Sequence, residues 1–473
     1  MLKSIGMKTA TFTLTLLLTC IRPYAVIWND DSVLTLQEAE SCAVIAGFDV
    51  RGSEKQLDTR TWAYRQAVTS YLPRISFSSQ YIRLGGTVSQ FGSPTSTFPE
   101  GGGRRAKAVQ QIPGDQQMPD GEYDQTEDLE NFFLHDLTIQ QPIINGGSQY
   151  MQIKISGAGR EAAEFQLNSA RQEAIYSTRE AYLNAVSAKA RVEAAQSSLE
   201  FNSRNLQSAR IRQQSGVVPI TEVLRWEAEV AQSRAALAQA RAGADAARYS
   251  LFSSMGILLD TLSKSFKLLS YDHFVGRCTT LTVDTAVGKA IQQNPSYQAL
   301  KTTTRIARLQ KYAAITGYIP SLNGFFTLQW QGVEEFLPDQ DPGWYLGLNL
   351  NIPIFQGFSN TSGYFQAVSE YEESLVSENQ AHNRFITAAR TAARNFLGAR
   401  QQLEAADQRQ KLLEQTLDIM QTRYESGVAG LTDLLEVSLS TEQARLAYID
   451  ALFSCLRAHA QYLLNIGKLE VTR

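Results

Sequence analysis

The sequence lacks the residue patterns of several large classes of protein. Its 473 residues carry a formal net charge of −3, which supplies no basic field for nucleic acid. It contains no nucleophile–base pair, metal-ligand cluster or phosphate loop, so we predict no enzyme activity, cofactor or metal site. No apolar run of 18 residues follows the N-terminal leader, so a membrane-spanning helix is not expected. A strand of a membrane β-barrel needs only about 10 alternating residues, so a membrane location stays open.

Cysteine is scarce, and its few copies have neither metal-ligand spacing nor a CxxC motif. The four are Cys20, Cys42, Cys278 and Cys455. Cys20 falls within the leader, which leaves an odd number that cannot all pair with one another. We therefore predict that the remaining three are buried free thiols rather than members of a structural disulfide.

Residues 1–25 have the pattern of a secretory signal peptide. Lys3 and Lys8 form a basic start, and residues 10–21 form an apolar core. Met7 is an alternative initiator, and Cys20 an alternative lipidation site. The sequence therefore predicts an exported protein.

The chain contains an internal duplication, which is the first pattern to establish because it decides the fold. Residues 34–39 recur as residues 281–286, and the surroundings of Pro73 recur around Pro320. This predicts a first repeat at 26–256, a linker at 257–280 and a second repeat at 281–473. Each repeat is expected to open with a helix, which in the first repeat runs from Leu34 to about Tyr71.

Alternating apolar and polar residues predict two strands in each repeat. In the second repeat they lie at about 320–331 and 343–354, and weaker alternation in the first predicts about 73–84 and 131–143. One apolar face and one uncharged polar face are typical of a strand between lipid and water, although a half-buried strand of a soluble sheet gives the same pattern. Residues 85–125, rich in Gly, Pro, Ser and Gln, predict a loop at the strand–strand apex.

Apolar residues spaced by three and four predict long coiled-coil helices after each pair of strands. The two helical hairpins are expected at 148–256 and 359–466. At the second tip, Gly427 and Gly430 provide the freedom for a helix stop and turn, and Thr432 is the expected cap of the returning helix. The fold class is therefore mainly α, with two copies of a β-hairpin followed by a long helical hairpin.

This order of elements resembles the TolC family of outer-membrane efflux channels, over about residues 34–467. The resemblance rests on the duplicated frame of proline, two strands and Pro-Ile, on the paired Arg-x-x-x-Gly tips, and on Leu-Thr-Asp-Leu-Leu-Glu at 431–436. It implies a homotrimer in which four strands per chain form a 12-stranded β-barrel in outer-membrane lipid, while the helices form an α-helical barrel tunnel through the periplasm of a Gram-negative-type cell. It also implies a passive exit duct for tripartite efflux or type I secretion. The implied partners are a periplasmic adaptor (membrane fusion) protein and an inner-membrane transporter, which selects a cargo that this sequence does not identify.

The resemblance further implies that Asp433 and Glu436 line the periplasmic entrance of the channel. The alternative is that Asp433 is an ordinary acid at a helix N-terminus and that Glu436 is a solvated surface residue.

Family members close this entrance by links between the two tips, and the matching residues are Tyr424 and Glu222. The family's arginine two positions after the second-tip glycine is Ala429 in this chain. Arg225 is a candidate substitute for it.

The two tip motifs, Arg212 to Gly216 and Arg423 to Gly427, resemble those that bind the periplasmic adaptor. An arginine in the last helical turn is equally expected from the helix dipole alone. The main alternative to the whole assignment is an exported soluble coiled-coil scaffold, adaptor-like and without a barrel.

Overall fold

The structure is a computed structural model that describes residues 33–84, 130–257, 267–282, 288, 291–333, 336 and 341–472. The predicted signal peptide at 1–25, with Cys20, lies outside the described residues, as does the predicted loop at 85–125.

The described chain alternates short β-segments with long helices. The strands are β1 (Val33–Leu34), β2 (Arg74–Leu84), β3 (Glu130–Asn145), β4 (Lys267–Leu268), β5 (Ser321–Val333) and β6 (Gly343–Asn351). The helices are α1 (Leu36–Ala46), α2 (Phe48–Thr69), α3 (Ser148–Gln214), α4 (Ile220–Ser254), α5 (Arg277–Thr280), α6 (Pro295–Ile315), α7 (Ser359–Glu425) and α8 (Leu431–Asn465). The predicted class, a strand pair followed by a long helical hairpin and then the same again, is confirmed.

The first helical segment is divided in two, whereas the sequence predicted one continuous helix to Tyr71. The break is at Gly47, whose backbone is extended at φ −55° and ψ 131°. A Cβ on Gly47 would lie 2.3 Å from the carbonyl oxygen of Ala43, so only glycine fits this sharp exit from α1.

Strands β2, β3, β5 and β6 form one antiparallel sheet in that order. Ile139 pairs with Ile75 on one side and with Phe326 on the other, and Phe326 pairs with Leu346. Together with Phe77, Leu137, Leu328 and Trp344, these side chains form a continuous apolar face, on which Leu346 is 72% exposed. The two outer strands, β2 and β6, pair on one side only among the described strands.

The opposite face of the sheet is polar. The hydroxyl oxygens of Thr138 and Thr327 lie 3.2 Å apart, within hydrogen-bonding distance across β3 and β5. Gly347 leaves room for the ring of Phe325, since a Cβ there would lie 2.5 Å from that ring. The alternation predicted from the sequence thus separates an apolar from a mainly polar face.

The long helices pack through small side chains. About half of the buried residues of α3 are alanine, which lets neighbouring helices approach closely. A cluster of buried apolar side chains surrounds Tyr182, whose hydroxyl donates a hydrogen bond to the carbonyl of Leu34 at 2.7 Å. No helix in the described part of the chain is both long and apolar enough to cross a membrane.

Cys278 and Cys455 form a disulfide, so the prediction of three buried free thiols was wrong for this pair. Their Cα atoms are 6.2 Å apart, and both side chains are fully buried. The sequence did not reveal the pair because 177 positions separate its members, and they meet only where α5 packs on α8. Cys42 is free and half-buried, and burial raises the pKa of its thiol.

The C-terminal segment is fixed to the first helix through a buried carboxylate. Glu40 is fully buried and accepts hydrogen bonds from Arg179 Nε at 2.5 Å and from the backbone N–H of Thr472 at 2.7 Å. Arg179 also donates to the carbonyl of Glu470 at 2.8 Å. The charge of Glu40 is therefore paired, as burial requires.

The described residues belong to two compact units. One contains the residues up to Thr61, Ala158–Ile306 and the chain from Glu372 onward, and the other contains Trp62–Gly157 and Ala307–Tyr371. Each unit draws on both halves of the sequence. The division into repeats at 26–256 and 281–473 stays a prediction.

Candidate functional site

The helical turn after α3 is fixed by a glycine in the left-handed region. Gly216 has a φ of +72°, its N–H donates to the carbonyl of Gln213 at 2.9 Å, and the N–H of Val217 donates to that of Arg212 at 2.9 Å. This pair of bonds is the Schellman motif that ends many helices.

The turn after α7 has the same construction. Gly427 has a φ of +73°, its N–H donates to the carbonyl of Tyr424 at 3.0 Å, and the N–H of Val428 donates to that of Arg423 at 2.8 Å. The Arg-x-x-x-Gly spacing therefore places the arginine carbonyl where the Schellman motif needs an acceptor. Any residue could supply that carbonyl, so the backbone explains the glycine but not the arginine.

The N-cap of the returning helix α8 lies two residues earlier than expected. Gly430, in an extended conformation, is its N-cap, and its N–H donates to Asp433 Oδ2 at 3.3 Å. The prediction of Thr432 as the cap was therefore wrong. Because Thr432 lies in the first turn, its hydroxyl is free for another contact, and it accepts a hydrogen bond from Arg225 Nη1 at 3.2 Å.

Tyr424 is the centre of the contact between the two turns. It is 4% exposed, and its hydroxyl donates to the carboxylate of Glu222 on α4. The same hydroxyl accepts a hydrogen bond from Trp226 Nε1 at 3.3 Å. Trp226 was not predicted from the sequence, although it lies on the same face of α4 as Glu222, four residues further along.

Arg212 adds a positive charge to this contact. Its guanidinium lies 5.0 Å from the centre of the Tyr424 ring and 4.0 Å from Glu222 Oε1. Burial raises the pKa of Tyr424, and the hydrogen bond to Glu222 raises it further. The hydroxyl therefore remains a protonated donor at neutral pH.

An apolar cluster lies beneath these polar contacts. Its buried members come from all four long helices, and the indole of Trp226 is fully buried among them. They are Ala209, Val223, Trp226, Tyr424 and Leu434. Tyr424 and Trp226 are thus held both by packing and by their shared hydrogen bond.

Asp433 and Glu436 lie outside this cluster. Both are exposed, and their spacing of three places them on one face of α8. Asp433 contributes to the helix start, whereas Glu436 has no hydrogen bond or ion pair within the described part of the chain. The structure brings Tyr424, Glu222 and Arg212 together and leaves these two acids at the surface.

The two tip arginines differ in their surroundings despite their matching positions in the sequence. Arg212 is half-buried against Tyr424, whereas Arg423 is exposed. Gly216 and Gly427 are both exposed, and nothing lies within 4 Å of a Cβ added to either. Val217 and Val428, which follow the glycines, are 67% and 68% exposed.

The described residues contain no group of three or more His, Cys, Asp or Glu side chains placed to hold a metal ion. The cluster at the tips links helices and presents charge, but it holds no nucleophile beside a base. It can fasten one helical turn to the other.

The family model for outer membrane efflux proteins matches residues 46–257 and 286–464 of the chain. Outer membrane protein TolC of Salmonella enteritidis is 22% identical over 315 residues, which cover 65% of this chain and span 63% of that protein. Among solved structures, the CmeC outer membrane channel of Campylobacter jejuni aligns with a TM-score of 0.73 at 17% identity, covering 93% of this chain and 87% of that one.

The outer membrane protein VceC of Vibrio cholerae aligns with a TM-score of 0.69 at 16% identity, covering 91% of this chain and 96% of that one. At these identities the two structural alignments establish a shared fold. The family match extends over both halves of the sequence and across most of its length. The chain therefore belongs to the outer membrane efflux protein family, and its location is the outer membrane.

Proposed function

We propose that this protein is an exit duct of the outer membrane, a passive route from periplasm to exterior that is closed at its helical tips. The observation that carries the proposal is the family match over residues 46–257 and 286–464. A passive duct needs no catalytic group, and the family is one of ducts rather than enzymes. The tips are the candidate gate because the two helical turns meet there through side chains that can separate.

The sheet supports a trimer embedded in lipid. Its apolar face is exposed, and its outer strands β2 and β6 each have one edge without a partner among the described strands. Open edges cannot face hydrocarbon, because their backbone groups would lack hydrogen-bond partners. Three copies would close the edges into a 12-stranded barrel wide enough for a channel, and the helices would continue it as a tunnel.

The contact between the tips supports a closed state. The hydroxyl of Tyr424 binds Glu222, and Arg225 binds Thr432, so each bond joins the first turn to the second. Opening would separate the two turns and break both bonds. This hydrogen bond supports the proposal that Arg225 links the two tips in a chain that has Ala429 in place of the family's arginine.

Asp433 and Glu436 are the proposed ring at the periplasmic entrance. Their exposure on one face of α8 supports this role. Around a threefold axis, each copy would add two carboxylates to a narrow opening. Such a ring attracts cations and is blocked by multivalent ones.

The tips are also the proposed docking site for a periplasmic adaptor (membrane fusion) protein that connects the duct to an inner-membrane transporter. Arg423, Gly216 and Gly427 are exposed, and Val217 and Val428 add apolar surface beside them. Arg212 would bind the adaptor less directly, because Tyr424 and Glu222 already engage it. Whether the system is tripartite efflux or type I secretion depends on the transporter, which selects drugs, metals or proteins.

Two measurements on the purified protein test the duct. We expect a trimer by light scattering after correction for detergent, and ion conductance in planar bilayers. A soluble exported scaffold would instead stay in solution without detergent, as a monomer or dimer, and would not conduct. A monodisperse monomer would contradict the barrel.

A further inference from the structure

All four junctions between the sheet and the long helices lie at one end of the sheet. Helices α2 and α6 lead into β2 and β5, while β3 and β6 lead into α3 and α7. Because β2, β3, β5 and β6 run antiparallel in this order, the four strand ends that connect to helices all lie at the same end of the sheet. The structure therefore brings four helical segments to the border of the apolar sheet face.

Three of these helices carry a cation at nearly the same distance from the sheet. Arg65 lies about one turn before the end of α2, Lys311 about one turn before the end of α6, and Lys154 less than two turns after the start of α3. At 1.5 Å per residue, all three are about 6 to 9 Å from the sheet-side ends of their helices. They form one level of positive charge.

Each of the three cations lies beside an aromatic ring. The distances from cation to ring centre are 4.6 Å for Arg65 with Trp62, 5.4 Å for Lys154 with Tyr150, and 5.3 Å for Lys311 with Tyr312. Lys311 also lies 4.8 Å from the half-buried ring of Tyr371 on α7. Trp62, Tyr150 and Tyr312 are exposed, with Trp62 at 64%. We call these three pairs the collar.

No acid in the described part of the chain forms an ion pair with the collar. Residues 62–69, 148–157, 307–315 and 359–369, which make up the sheet-proximal parts of the four helices, contain no Asp or Glu. In the described part of the chain, no carboxylate lies within ion-pair distance of Arg65, Lys154 or Lys311. Uncompensated cations beside exposed rings, at the edge of an apolar surface, point to an anionic partner with an apolar body.

We propose that the collar binds anionic phospholipid in the leaflet at the helix end of the sheet, with its cations on the headgroup phosphates. Tryptophan and tyrosine concentrate where hydrocarbon meets water, and lysine and arginine near that border attract anionic headgroups. The inference rests on the proposed function, because it requires the apolar sheet face to lie in the bilayer. The proposed duct extends its helices into the periplasm, so the leaflet at the helix end of the sheet is the periplasmic one.

The test compares phosphatidylglycerol with phosphatidylcholine of the same acyl chains, bound to the detergent-solubilised full-length protein and counted by native mass spectrometry. The variant R65Q/K154Q/K311Q removes the three charges and leaves a polar, uncharged side chain at each position. We expect each cation to contribute about fivefold, so the parent should prefer phosphatidylglycerol about a hundredfold and the variant should bind the two lipids about equally. The variant R65K/K154R/K311R should keep it.

A matched control removes three exposed cations elsewhere, as K55Q/R409Q/K411Q, and should bind like the parent. Equal preference in the collar variant and the control would overturn the proposal. A parent that prefers lipid A phosphates to phosphatidylglycerol would overturn the choice of lipid. Loss of the trimer in the collar variant alone would show that the cations bind carboxylates of a second copy instead.

Failure of the duct itself is recognised separately. The same preparations are examined for mass by light scattering and for conductance in planar bilayers. A parent that binds phosphatidylglycerol selectively but does not conduct would contradict the duct and leave the collar standing. A conducting trimer without lipid preference would contradict the collar and leave the duct standing.

Discussion

Replacing Tyr424 by phenylalanine removes one hydroxyl from the contact between the tips and keeps the ring. That hydroxyl donates to Glu222 and accepts from Trp226 Nε1 at 3.3 Å. In the variant, the carboxylate lacks its donor and the buried indole N–H lacks its acceptor. The packing of the ring against Trp226, with centres 6.4 Å apart, is retained.

The size of the effect follows from the burial of these groups. A hydrogen bond to a charged group contributes about 1.5–3 kcal/mol, and Glu222, whose side chain is 14% exposed, is reached by water only in part. We therefore expect a loss of about 2 kcal/mol in the closed state. Because the proposed opening separates the tips, the equilibrium between the closed and the open tip contact should shift about 30-fold towards the open one in each chain.

Single-channel current in planar bilayers measures this ratio directly. The Tyr424→Phe channel should open more often than the parent and keep the same cation preference, because Asp433 and Glu436 are unchanged. The matched control is Tyr249→Phe, which removes a hydroxyl from a residue that is 59% exposed on α4. This control should gate like the parent.

One further variant and a pH titration divide the contact into its parts. Trp226→Phe removes the donor to the tyrosine and should open the channel less than Tyr424→Phe, because the bond to Glu222 remains. The contact also depends on pH: the raised pKa of Tyr424 means that its contribution is complete below about pH 10 and is lost as pH rises through the folded-state value. A Tyr424→Phe channel that stays closed as often as the Tyr249→Phe channel would refute the reasoning.

Three other outcomes are expected. The variant D433N/E436Q, which keeps a side-chain acceptor at the helix start, should lose its block by a trivalent cation and part of its cation preference in single-channel recordings. The variant C278S/C455S should unfold more easily in denaturant titrations, by about 5 kcal/mol in the chain-entropy model for a loop of this length. Gly427→Ala should cost about 1–2 kcal/mol in the same titration, because alanine is strained at a φ of +73° even though open space surrounds it.

Each of these outcomes has a control within the chain. E200A/D245A removes two exposed acids far along the helices and should remain blocked by the trivalent cation. Cys42→Ser removes the free thiol and should unfold nearly like the parent. Gly52→Ala, inside α2 with nothing within 4 Å, should stabilise the chain. If a control and its variant behave alike, the corresponding assignment is wrong.

The fold class was predictable because its signals are local and repeated. Apolar spacing by three and four marks the long helices, and alternation marks strands whose two faces meet different surroundings. The stop at Gly427 was also predictable, since its position requires the left-handed backbone that glycine adopts readily. The break at Gly47 was missed, because an isolated glycine within a helical pattern gives no measure of the space around it.

Contacts between distant parts of the chain were harder to predict. The disulfide joins residues 177 positions apart, and composition alone does not show which cysteines meet. The spacing of four residues between Trp226 and Glu222 indicated that they share a face of α4. The hydrogen bond from Trp226 to Tyr424, however, depends on the position of α7 along the axis of α4. Predicting that position requires the packing of both hairpins.

The two tips share one backbone plan, and their side chains differ where they touch. With Gly216 aligned on Gly427, Tyr424 corresponds to Gln213 in the first tip. Trp226 corresponds to Val437 in the second. The aromatic pair at the centre of the contact therefore takes one member from each tip, and neither tip contains both.

The same alignment bears on the proposed entrance, which one motif would both close and line. Asp433 corresponds to Glu222, and Glu436 corresponds to Arg225. In the first tip these two positions carry opposite charges, and both are engaged by the second tip, through Tyr424 and through Thr432. In the second tip the same two positions carry carboxylates only, and both remain exposed. In the proposed duct, the first tip thus engages its partner, while the second keeps the negative charge that a cation-attracting entrance requires.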